Sequence, residues 1–110
     1  MNTRDYKQCA PGEYYHIYNR GNAKDLIFRD EEDYEFFLLR LTQILGVSVR
    51  KNRWDRPLPP DSFSCIAYCL MPNHFHLLLR QNKDIPTSVL MTRVCTSYAI
   101  YFNKKYERVG

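Results

Sequence analysis

Apolar positions recur along this chain with two different periods. Residues 13–20, EYYHIYNR, are rich in strand-forming side chains and predict a first strand, stopped by Gly21 and Asn22. Residues 25–28 read as a short extended piece. Asp30 is placed to cap a helix, with acids filling the first turn where the helix dipole favours them. Phe37, Leu38, Leu41, Ile44 and Leu45 then recur at helical spacing until Gly46, which predicts a helix over 31–45. Residues 47–62 form a polar, basic loop with three prolines. Two strand-type runs follow, 63–71 and 74–80, split by Pro72-Asn73, and predict a hairpin. Pro86, Thr87 and Ser88 open a second helix running to about residue 104. Leu90, Met91, Val94, Cys95, Tyr98, Ala99, Tyr101 and Phe102 give it a broad apolar face.

The order strand, helix, strand, strand, helix predicts an α+β domain. It is a ferredoxin-like split βαβ unit with an antiparallel sheet and two helices on one face, lacking the pattern's last strand. With 110 residues, the chain is expected to be one domain, with a polar tail over 1–12 and the long loop at 47–62. No apolar run approaches the ~18 residues of a spanning helix, and the polar N-terminus lacks a signal-peptide core. A cytoplasmic protein is expected, without a membrane partner.

Charge and aromatic content narrow the class of partner. Sixteen basic residues against twelve acidic ones give +4, and aromatics reach 15% with nine tyrosines. Phosphates attract cations and bases stack on rings, so this balance is compatible with nucleic acid. The segment 30–35 is acidic, whereas the excess positive charge lies in the 47–62 loop and the C-terminal third. The four cysteines, Cys9, Cys65, Cys69 and Cys95, are expected to be reduced thiols. On an unbroken strand Cys65 and Cys69 share one face ~13 Å apart, too far for a disulfide.

The candidate chemistry lies in Leu70-Met-Pro-Asn-His74-Phe-His76-Leu-Leu-Leu79. In a strand, residues i and i+2 share a face about 6.6 Å apart, so His74 and His76 can direct two imidazoles at one divalent ion while Phe75 enters the core. The plainer alternative is a pair of surface histidines. A structural zinc site from Cys65, Cys69, His74 and His76 is a rival, though the two cysteines lack the tight knuckle such sites use.

MPNHFHLLL resembles the His-hydrophobic-His (HUH) motif of the single-tyrosine transposases of small bacterial insertion sequences, in particular the REP-associated tyrosine transposases. Tyr15-His16-Ile-Tyr-Asn19-Arg20-Gly21 is similar to that group's first strand and turn, and Ile27-Phe28-Arg29-Asp30 to its entry into the first helix. Ser97-Tyr98-Ala99 and Tyr101-Phe102-Asn103 are similar to the helix after the HUH strand. The resemblance implies DNA transposition: metal-dependent cleavage and rejoining of single-stranded or hairpin DNA through a phosphotyrosine. It implies Mg²⁺ or Mn²⁺ as cofactor, His74 and His76 as ligands, and leaves a homodimer open. The family's nucleophile lies on a later helix, beyond a further strand, so this chain is expected to stop short of it and its catalytic tyrosine is left unassigned.

The expected DNA-binding residues are His16, Asn19, Arg20, Arg50, Lys51, Arg53 and Trp54. His16 can reach the active face or a phosphate, or can be an ordinary hydrogen-bonded strand histidine. Arg20 can hold a phosphate or a surface salt bridge. The loop cations surround a ring that can stack on an unpaired base or fold onto the core. The alternative function is a non-catalytic single-strand-binding module or an inactive transposase remnant, since a ferredoxin-like sheet can bind single strands without a nucleophile.

Overall fold

The computed structural model describes residues 10–19, 25–46 and 58–108. Five elements follow in chain order: β1 (Tyr14–Tyr18), α1 (Glu31–Leu45), β2 (Phe63–Met71), β3 (His74–Gln81) and α2 (Thr87–Lys105). β3 lies between the other two strands and is antiparallel to both, so β1 and β2 run parallel with β3 inserted between them. This is the expected α+β arrangement, an antiparallel three-stranded sheet with two helices.

The alternation of β3 decides which side of the sheet is covered. Phe75, Leu77, Leu79 and Gln81 are buried, while His74, His76, Leu78 and Arg80 occupy the other face. Phe37, Leu41 and Ile44 of α1 and Leu90, Val94, Tyr98 and Phe102 of α2 join the buried strand residues in one core. Both helices therefore pack on one face and leave the other open. Each fully buried large apolar side chain contributes about 1.5–3 kcal/mol, so this one-sided burial fixes the strand register.

Local signals explain the helix ends. The Asp30 carboxylate accepts the Asp33 N–H at 3.0 Å, and Asp33 reaches back to accept the Arg29 N–H at 2.8 Å. At the other end Gly46 turns left-handed (φ 81°) and donates to the carbonyls of Thr42 and Gln43. In α2, Pro86 is the N-cap itself, with no side-chain cap. Contacts of Asp33 with Tyr101, Phe36 with Tyr101 and Arg40 with Ser97 run in opposite chain directions, so the helices are antiparallel.

Two local expectations change. Residues 25–28 form no strand; the Ile27 and Phe28 N–H groups both donate to the Pro72 carbonyl, which ties this segment to the hairpin turn. Between Cys65 and Ala67 the β2 register slips by a bulge. Cys65, opposite Leu79, consequently packs against the core, whereas Cys69 lies opposite His76 on the open face. The one-face spacing expected for these cysteines is thus corrected. The basic stretch at 47–57, with Cys9 and residues 20–24, lies outside the described residues.

Candidate functional site

The open face is built from three strands, with the histidine pair at the hairpin-turn end of the central strand, β3. His74 follows the Pro72-Asn73 turn and His76 comes two residues later, so the pleat sends both rings away from the core. Their ring centroids are 5.1 Å apart at 84°. Across the β1 register Tyr18 lies opposite His76, and His16 lies opposite Leu78, diagonal to His76. His16 Nε2 is 2.8 Å from His76 Nδ1, with the two rings only 16° from parallel. His74 Nδ1 is 2.7 Å from Asn73 Oδ1. Tyr18, half exposed, places its ring 5.1 Å from His16 and 6.0 Å from His76.

On the β2 side Cys69 and Met71 face His76 and His74, with their sulfurs 3.7 Å apart. Since Cys65 lies on the core face, the four-ligand zinc arrangement cannot assemble on this hairpin. Asn19, one of the expected DNA contacts, accepts the Phe75 N–H at 2.9 Å and so fastens the end of β1 beside the histidines. Arg20, Arg50, Lys51, Arg53 and Trp54 lie outside the described residues. His16 and Asn19 are therefore the expected contact residues that converge on His74 and His76.

A second polar cluster lies behind the sheet, where the start of α1 meets the end of α2. Carboxylate oxygens of Asp30, Glu32 and Asp33 come within 4.8 Å of one another. An ammonium already holds their centre: Lys105 Nζ is 2.9 Å from Asp30, 2.6 Å from Glu32 and 2.9 Å from Asp33. The buried Asp33 carboxylate also accepts from Tyr101 and Tyr106 hydroxyls, each at 2.7 Å. Burial works to raise its pKa. Hydrogen bonds from Tyr106, Lys105, the Arg29 N–H and Tyr101 outweigh it and hold the group well below the usual carboxylate range. This cluster is a clasp between helices. From sequence, Asp30 is a helix cap and the acids after it are dipole partners; their tertiary partners, Tyr101, Lys105 and Tyr106, lie on the antiparallel helix and its C-terminal turn.

The tyrosines of α2 and its C-terminal turn are engaged on this same side. Tyr98 is buried and donates to the Ile27 carbonyl, and its pKa is raised first by burial and then by the Asp33 charge. Burial and the hydrogen bond to Asp33 likewise raise Tyr101, and Tyr106 is raised by the same two causes. All three phenols therefore resist ionisation more than a free phenol does.

Among the described residues, no helix is long and apolar enough to cross a membrane. No curated protein and no solved structure gives a significant match to the chain. A family model described as "Transposase IS200 like" matches residues 59–110, a segment that contains the β2–β3 hairpin and α2. The family works in DNA transposition, with DNA as its partner. Residues 59–110, with both histidines of the open face, are thus similar to IS200-like transposases.

Proposed function

We propose that the open face of the sheet is a metal-dependent site for cutting and rejoining single-stranded or hairpin DNA. The observation that carries this reading is the pair of imidazoles projecting from the exposed side of the central strand, inside the segment that matches the transposase model. The donor set fits a divalent cation: His74 and His76 offer two imidazole nitrogens on one face, and the exposed surroundings leave room for water and phosphate oxygens. Mg²⁺ or Mn²⁺ held there would polarise the scissile phosphate. The acidic clasp is a poorer cation site, because the Lys105 ammonium already occupies its centre.

The transfer step balances without a nucleotide cofactor. A tyrosine oxygen bonds to phosphorus, the bond to the 3′ oxygen breaks, and the phenolic proton is passed on as a free 3′-OH appears; rejoining reverses this. Tyr98, Tyr101 and Tyr106 are assigned no part in that attack, since their phenols are held at the Ile27 carbonyl and the Asp33 carboxylate. Those engagements favour a second reading, in which the described residues bind a DNA strand without cutting it. Tyr18 and Tyr14, both exposed on the open face, then supply rings for stacking and Arg80 a cation.

Similarity to the REP-associated group, carried by 15–21 and 27–30, points to hairpin DNA as substrate. The test is cleavage of an end-labelled single-stranded hairpin with Mn²⁺ or Mg²⁺, resolved on a denaturing gel. A protein-linked strand that disappears in His74→Ala or His76→Ala supports the catalytic reading. A retarded but uncut strand, insensitive to the metal, supports the binding module and overturns catalysis by this chain.

A further inference from the structure

We propose that His16 and Asn73 are positioning residues that hold His76 and His74 by their Nδ1 atoms, so that both rings present Nε2 to the cation. This rests on the metal reading above and specifies how the protein prepares that site. A neutral imidazole carries one N–H and one lone pair, and only the lone pair can bind a metal. At His74 the partner of Nδ1 is the amide oxygen of Asn73 at 2.7 Å, which accepts and cannot donate. The proton of His74 therefore sits on Nδ1, and Nε2 keeps its lone pair.

His76 reaches the same state through a different partner. Its Nδ1 lies 2.8 Å from His16 Nε2, with centroids 5.0 Å apart and ring planes 16° from parallel. That separation is about two ring radii plus the nitrogen–nitrogen contact, so the rings meet edge to edge in nearly one plane. His76 is the donor in this arrangement, because only a proton on Nδ1 leaves its Nε2 lone pair for a cation; His16 then accepts at Nε2 and carries its own proton on Nδ1. The contact follows from the β1–β3 register, which sets His16 diagonal to His76 on the open face. Outer partners of this type fix ring orientation and tautomer, and losing one typically weakens metal binding about 10–100-fold. His16 thus acts through His76, where sequence alone left it as a DNA contact or an ordinary strand histidine.

The test uses the whole chain labelled with ¹⁵N. Long-range proton–nitrogen correlation of the metal-free protein shows which nitrogen of each ring is protonated, and Mn²⁺ titration gives the affinity. The expected result is Nδ1–H at both His74 and His76. His16→Phe, which keeps a ring without an acceptor, should weaken Mn²⁺ about 10–100-fold. His16→Gln restores an accepting oxygen and should recover most of that loss, which a purely structural role would not explain. The amide correlation spectrum of each variant verifies that it is folded. A wild-type His76 protonated at Nε2, or a folded His16→Phe that binds Mn²⁺ as wild type does, would overturn this inference alone. Failure of the wild type to bind Mn²⁺ would overturn the metal reading and this inference with it.

Discussion

Replacing Asp33 with alanine tests the clasp that closes the helix layer behind the site. The carboxylate is fully buried and accepts from the Arg29 N–H, the Tyr101 and Tyr106 hydroxyls and Lys105. Removing it deletes four hydrogen bonds to one buried carboxylate; Lys105 keeps Asp30 and Glu32 and the two tyrosines are partly exposed, so the loss should be about 3–5 kcal/mol, roughly 1 for each bond. Glu32 touches the same lysine, but its side chain is 69% exposed, so Glu32→Ala should cost below about 1 kcal/mol. A domain of this size has roughly 5–16 kcal/mol of total stability. The Asp33→Ala loss should accordingly lower the melting temperature by about 12–20 °C. The assay is urea unfolding followed by circular dichroism at several pH values. Because the folded pKa of Asp33 is depressed, its contribution is fully present above the unfolded carboxyl pKa near ~4 and falls as pH drops below that. The gap between wild type and variant should therefore be widest near neutral pH and narrow in acid. Equal, small losses for Asp33→Ala and Glu32→Ala, or a gap independent of pH, would refute the clasp.

Three further outcomes follow from the same contacts. Gly46→Ala forces a side chain into left-handed backbone at the end of α1 and should cost about 1 kcal/mol, read from the unfolding midpoint. Tyr98→Phe removes the hydroxyl bonded to the Ile27 carbonyl; about 1 kcal/mol should be lost, while any protein-linked DNA product on the gel should persist. Tyr98 and Tyr101 have folded pKa values raised above the ordinary phenol. The stability this gives is complete below about pH 10 and lost as pH rises beyond it, so phenolate absorbance should appear together with unfolding in alkali.

The regular elements were legible because each announces itself locally. The α1 boundaries follow from Asp30 and Gly46, and the hairpin from two strand-type runs around Pro72-Asn73. The histidine pair was legible for the same reason, since a spacing of two in a strand assigns a shared face without any tertiary information. What sequence hid depended on register or on distant partners. The β2 bulge sends Cys65 and Cys69 to opposite faces, and nothing in FSCIAYCLM marks it. The Lys105 clasp needs α1 and α2 to pack antiparallel before 30–33 and 101–106 can meet. The His16–His76 contact likewise needs β1 and β3 in one register, sixty residues apart in the chain.

The central claim is that His74 and His76 form the cation site, and Mn²⁺ binding to three proteins measures it most directly. Wild type, the double variant His74→Ala with His76→Ala, and the double variant Asp30→Asn with Glu32→Gln would be titrated by the paramagnetic signal of free Mn²⁺. The account expects one ion on the wild type, the same ion on the acidic-cluster variant, and its loss from the histidine variant. Binding that survives removal of both histidines, or disappears with Asp30 and Glu32, would contradict it.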